Sequence, residues 1–205
     1  MKQLWDKLAK ENSKYYINSD KGKGISEDEF WESGQEDYKK LILNDNVLNV
    51  AEHFREHFLE IGCGTGRMTL YISTDFEKVT GIDISGEMIK EAKKRLKDTN
   101  MVGIELIETD GFNIPLADNS IDIAFSYLVF QHFKTEEMIY SNFDEVYRVL
   151  KPKGIFKVRV RTDKVDTNKW WGGVSCDETY PLSIGFKLLK KEPVEDYGLW
   201  LWLQK

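Results

Sequence analysis

Three closely spaced glycines, Gly62, Gly64 and Gly66, follow the apolar segment that ends at Ile61, and they constrain this chain more than any other feature. Glycine lets a backbone turn tightly and lie within touching distance of a ligand, because no side chain blocks the approach. The pattern predicts a strand, a tight turn and a helix. Gly81-Ile82-Asp83 then closes a second strand, and a carboxylate there is positioned to accept both hydroxyls of a ribose. The dinucleotide fingerprint is G-x-G-x-x-G, whereas this chain has G-x-G-x-G preceded by the acidic Glu60. An acid before the loop does nothing for a pyrophosphate, but it suits a ligand with a cationic end.

At Leu59-Glu60-Ile61-Gly62-Cys63-Gly64-Thr65-Gly66 the chain resembles the class I S-adenosylmethionine-dependent methyltransferases, in particular the small type 11-like domain, whose first motif reads hydrophobic, acidic, x-G-x-G-x-G. The order of later segments extends the resemblance from about Phe58 to Arg161. Ile104 to Gly111 reads as a third strand ending in an acidic residue. Ser120 to Ser126 is a continuous apolar strand of the kind buried on both faces of a parallel sheet. Val146 to Gly154 ends a helix at Pro-Lys-Gly, and Ile155 to Val160 supplies a fifth strand. The implied fold is α/β, a Rossmann-like doubly wound seven-stranded sheet, mostly parallel with an antiparallel last strand beside the fifth.

The resemblance also implies the site. Asp83 accepts the ribose hydroxyls of S-adenosylmethionine, or else caps a helix. Ile84 lies against the adenine face, or fills the core. Asp110 and Gly111 meet the adenine edge through a carboxylate and a backbone N–H, or form an ordinary turn. Gly62, Gly64 and Gly66 let the methionine end approach, and Glu60 compensates its ammonium through water. Cys63 counts with this loop, or is a small filler. Ser126 and Tyr127 leave strand four beside the transferred methyl, with Gln131 and His132 following. Tyr127 and His132 are the catalytic candidates, His132 as a general base titrating near ~6.5 or as a packing residue. Arg159 and Arg161 alternate along strand five, and pair an acidic acceptor or are solvated edge charges. No D-P-P-Y or N-P-P-Y run follows strand four, which argues against exocyclic base amines as acceptors, and no His or Cys pattern points to a metal.

At 205 residues the chain fits one domain, 1–205, with an N-terminal helical cap or lid over 1–50 and the donor-binding core over 51–205. Helices are predicted over 3–12 and, from the capping box Ser26-Glu27-Asp28-Glu29, to about Leu43. Ser85 and Thr135 cap two more. Ile184 to Lys190 and Leu199 to Leu203 read as a hairpin separated by Pro193 to Gly198, and the helix usual between strands five and six is shortened or absent in Thr162 to Ser183. A net charge of -6 argues against nucleic acid as a partner. Two cysteines and the lack of a long apolar run or leader point to a cytoplasmic protein with no membrane partner. The expected activity is methyl transfer to oxygen or nitrogen of a small molecule. The alternatives are a protein or RNA methyltransferase and a non-catalytic S-adenosylmethionine-binding protein.

Overall fold

A computed structural model describes residues 1–48, 56–97, 99, 102–163, 165–194 and 197–205. Its α/β chain forms two compact units, Met1–Asp110 and Gly111–Lys205, and its strands belong to one seven-stranded mixed sheet. The expected boundary between cap and core, at 50/51, lies outside the described residues.

In the first unit, β1 (His57–Ile61), β2 (Lys78–Asp83) and β3 (Ile104–Glu108) run parallel with β2 in the middle. The third strand stops at Glu108, short of the expected Asp110, because Asp83 at the end of β2 pairs with Glu108 and no ladder remains beyond it. α3 (Thr69–Ile72) is a single turn after the glycine loop. α4 (Gly86–Leu96) is capped by the Ser85 hydroxyl, which accepts the Met88 N–H at 3.2 Å. Its apolar stripe, Ile89, Ala92 and Leu96, packs with Cys63 and Leu106.

The N-terminal helices belong to this unit. α1 (Lys2–Ile17) runs further than the predicted 3–12, with a break at Asn12. There the Asn12 carboxamide oxygen accepts the Tyr15 N–H at 3.1 Å and its nitrogen donates to the Lys23 carbonyl at 3.1 Å, so one residue ends the apolar periodicity and restarts the helix. α2 (Glu27–Tyr38) has both hydrogen bonds of its capping box and continues as a wider π turn through Leu43. It is fixed to the body. Gly34 lies against the Arg67 carbonyl, Asp37 accepts from the Arg67 guanidinium at 2.7 Å, and Phe30 is fully buried.

In the second unit, β4 (Ile121–Ser126), buried throughout, pairs parallel with β5 (Leu150–Arg161). β7 (Gly198–Gln204) lies antiparallel between β5 and β6 (Lys187–Val194), which places the last strand beside the fifth as expected. α5 (Glu136–Val149) is capped by Thr135 and buries Met138, Ile139, Phe143 and Val146. The reduced helix between strands five and six is α6 (Thr179–Ser183), a single turn. Two boundaries differ from expectation. β5 begins at Leu150, directly after α5, because Leu150 pairs with Ile121 and a bulge then absorbs Lys151 to Gly154, with Lys153 at φ 69°. β6 begins at Lys187 and keeps Pro193 and Val194 in the strand; it pairs with β7 alone, and an edge strand tolerates proline.

Candidate active site

The glycine loop leaves β1 with Gly62, Gly64 and Gly66 at φ of 74°, 54° and 81°, a region that costs other residues roughly 1–2 kcal/mol. The Gly62 and Cys63 N–H groups both donate to the Ile82 carbonyl, at 2.7 and 3.0 Å, which ties the loop to β2. Asp83 completes the tie. Its Oδ2 accepts the Gly64 N–H at 2.9 Å and its Oδ1 accepts the Ser85 N–H at 2.8 Å. The carboxylate is therefore oriented by backbone on both sides and keeps further acceptor capacity on each oxygen. Burial pushes its pKa up to about 6, against the lowering effect of those two N–H groups.

Glu60 is buried inside the same loop, and its Oε2 accepts the Thr69 hydroxyl at 2.5 Å. Burial raises its pKa to about 7; the Thr69 hydrogen bond and the Arg67 charge pull the other way, and Asp83 adds to the rise. Two carboxyls titrating near neutrality beside a loop of bare backbone favour a ligand that brings positive charge. The other predicted residues of this unit are placed less centrally. Ile84 is half-buried directly after Asp83, and Asp110 is exposed just beyond β3. The Cys63 side chain points into the apolar cluster of α4 and β3, where burial holds its thiol well above the ordinary value.

α1 lies over these strand ends. Asp6 Oδ1 accepts the Ser85 hydroxyl at 2.7 Å, Lys2 pairs with Glu108, and the Ile17 side chain stands 2.9 Å from where a Cβ on Gly64 would be. Sequence periodicity carries no signal for these contacts, which join residues far apart in the chain.

In the second unit the Gly111 carbonyl accepts from the Asn142 carboxamide at 2.8 Å, and Arg148 donates to the Ile114 and Leu116 carbonyls, so the segment after Asp110 is laced onto α5. Ser126 is buried at the end of β4. Tyr127 stacks on Trp200, centroids 5.6 Å apart, and Leu128 turns the chain at φ 60°, a left-handed conformation rare for a leucine and of the kind that gathers at functional sites. His132 is buried and stacked on Trp170. Burial and the Lys134 charge drop its pKa to about 4, far below what a base working at neutral pH needs. The segment after β5 is pinned to the residues that follow His132: Lys134 Nζ donates to the carbonyls of Lys169 and Gly172, both at 2.6 Å, and the Val174 N–H donates to Phe133 O at 3.0 Å.

A family model described as a methyltransferase domain matches residues 59–158. An uncharacterised methyltransferase of Oceanobacillus iheyensis is 32% identical over 120 residues, 58% of this chain and 54% of its own length. A malonyl-[acyl-carrier protein] O-methyltransferase of Pectobacterium atrosepticum is 30% identical over 105 residues, 51% of this chain and 38% of its own. The crystal structure of an S-adenosylmethionine-dependent methyltransferase from Aquifex aeolicus superposes with a TM-score of 0.61 at 20% identity, covering 88% of this chain and 98% of that one. Residues 59–158 thus match a methyltransferase domain, and the fold is shared with solved S-adenosylmethionine-dependent methyltransferases. It spans about half the length of the curated relatives it matches. Among the described residues no helix is long and apolar enough to cross a membrane.

Proposed function

We propose that the chain transfers a methyl group from S-adenosylmethionine to oxygen or nitrogen of a small molecule. The observation that carries this reading is the Asp83 carboxylate, held by the Gly64 and Ser85 N–H groups at the end of β2 and beside three left-handed glycines. A ribose diol suits that carboxylate, and an amino-acid ammonium suits the buried Glu60. The donor, when bound, supplies a methyl group already activated by a sulfonium.

The residues of the chain then orient and exclude water. Asp83 holds the ribose, Glu60 compensates the ammonium, Ile84 packs on the adenine, and the loop glycines admit the methionine end close to the backbone. Asp110 and Gly111 are assigned to the adenine edge, and Ser126 and Tyr127 to the methyl end. These residues would align an acceptor lone pair with that methyl; the donor sulfur would keep the electrons of the broken carbon–sulfur bond, and any proton the acceptor oxygen or nitrogen carries would pass to water. Alignment supplies most of the rate of such a step, so His132 is not required as a base. The Pectobacterium relative, by its name an O-methyltransferase, supports oxygen as acceptor.

Incubation with methyl-labelled donor and a metabolite panel tests the reading. Release of S-adenosylhomocysteine with label in a small product is expected. Donor binding without any turnover across the panel would leave a silent binder and overturn the proposal.

A further inference from the structure

Three cations alternate along one side of β5, and two of them are committed. Lys157 Nζ lies 4.7 Å from the ring centroids of both Trp200 and Trp202. Arg161 is fully buried, 3.2 Å from Asp163, donating to the Trp171 carbonyl at 3.2 Å, and 4.1 Å over the Tyr197 ring. Arg159, between them, is different. Its guanidinium stands 5.9 Å over the Tyr127 ring, its buried Nε, like that of Arg161, has no hydrogen-bond partner among the described residues, and it lacks the ion pair and carbonyl contact that Arg161 has. No carboxylate or carbonyl there neutralises it. The space it occupies is kept open by Gly198, where a Cβ would come within 2.7 Å of that Nε.

A buried guanidinium N–H with no acceptor is costly unless a ligand supplies one. Its place fits a ligand. Arg159 is near the carboxyl end of β5, opposite Trp200 in register, and Trp200 stacks on Tyr127, which leaves the carboxyl end of β4. Sheets of this class take ligands outside those strand ends. The planar fork of a guanidinium matches a carboxylate bidentately. One cation that no described residue neutralises balances one negative charge, which favours a carboxylate over a phosphate dianion, and the Tyr127 and Trp200 rings offer an apolar wall to the rest of the molecule.

We propose that Arg159 is the anion-recognition residue of the acceptor site and that the methyl acceptor is a small molecule bearing a carboxylate. This rests on the methyl-transfer reading above.

The test is calorimetric titration of octanoate, benzoate and malonate, each against its neutral amide, into the full chain saturated with S-adenosylhomocysteine. In the wild type at least one carboxylate is expected to bind about tenfold or more tighter than its amide. Arg159→Gln is expected to erase that preference while leaving affinity for S-adenosylhomocysteine unchanged, and Arg159→Met serves as second variant should the glutamine fail to fold. A wild type with no preference for any carboxylate, or a preference that survives either substitution, overturns the proposal. A wild type that does not bind S-adenosylhomocysteine overturns the methyl-transfer reading itself, and the two failures are thereby distinct.

Discussion

The backbone N–H of Gly64 donates to Oδ2 of Asp83 at 2.9 Å, so the residue that the motif assigns to the ribose also fixes the loop assigned to the methionine end. Removing the carboxylate loosens both at once. Charge-assisted hydrogen bonds are worth roughly 1.5–3 kcal/mol each, and Asp83→Ala is therefore expected to weaken S-adenosylhomocysteine binding by at least about tenfold. Calorimetry reads this directly. An affinity within about threefold of wild type would remove Asp83 from the donor site.

The raised carboxyls make a prediction about pH. Glu60 rises from 4.5 to about 7 and Asp83 from 3.8 to about 6. Above its ordinary pKa such a group binds protons more tightly folded than unfolded, so stability falls as pH rises through the window from about 4 to about 7 and is level beyond it. The ligand-free chain is expected to melt higher at pH 5 than at pH 8, and Glu60→Gln to flatten the dependence by roughly 3 kcal/mol, the order implied by the Glu60 shift. Donor binding, which favours the ionised acids, should tighten with pH over the same range. Melting curves of the two proteins that run parallel across pH 5–8 would show that Glu60 does not titrate there.

Gly34 sits in mid-helix, where alanine would normally add up to about 1 kcal/mol of stability. A Cβ there would lie 2.2 Å from the Arg67 carbonyl oxygen and 2.8 Å from Arg67 Cγ. The neighbour is backbone and cannot yield, so overpacking at roughly 1–3 kcal/mol wins. Gly34→Ala is expected to lower the melting temperature; a rise would mean that α2 does not pack on Arg67 as described.

How far the sequence carried these conclusions depends on how local each signal is. The caps at Ser26, Ser85 and Thr135 and the apolar run of β4 lie within a few residues of what they determine, and all four stand where expected. The bulge at Lys151 to Gly154 answers to Ile121 on another strand, and the start of β6 answers to its pairing with β7, so neither boundary was legible. The same holds in the candidate site. Asp83 and the glycine loop announce themselves as a motif, whereas Asp6 at Ser85 is a tertiary contact with no periodic trace. Alternation alone leaves Arg159 and Arg161 equivalent; only the partners of Arg161 separate them.

His132 offers a sharp test of how little general-base chemistry is needed. Removing a working base typically costs 10²–10⁴-fold in rate. His132 is stacked on Trp170 with a pKa of about 4, so His132→Asn is expected to reduce kcat by less than about tenfold and to lower the melting temperature instead. A loss of a hundredfold at unchanged stability would restore it as the base.

The cap segment separates into α2, packed on Arg67, and α1, laid over the glycine loop. α2 is held by Gly34 on Arg67, by the Arg67 to Asp37 pair and by buried Phe30. α1 buries only Leu8, Ala9 and Ser13 among its described residues, and its ion pairs, Lys10 with Glu87 and Lys14 with Glu27 of α2, are exposed and contribute about 0–1 kcal/mol each. Between the helices, Gly22 and Gly24 have open space where a Cβ would be, and Gly22 is at φ 79°, so the connection can bend with little steric resistance. Opening at this joint would expose Gly64, now covered by Ile17, and Ser85, now bonded to Asp6. α1 is expected to act as the lid, with hydrogen exchange in residues 2–17 slowed by S-adenosylhomocysteine while α2 is protected with or without it. Deleting residues 1–24 should weaken ligand binding and slow turnover, because an uncovered donor is poorly aligned and open to water. Equal protection of α1 in both states, together with unchanged affinity and turnover after the deletion, would leave α1 a structural element only.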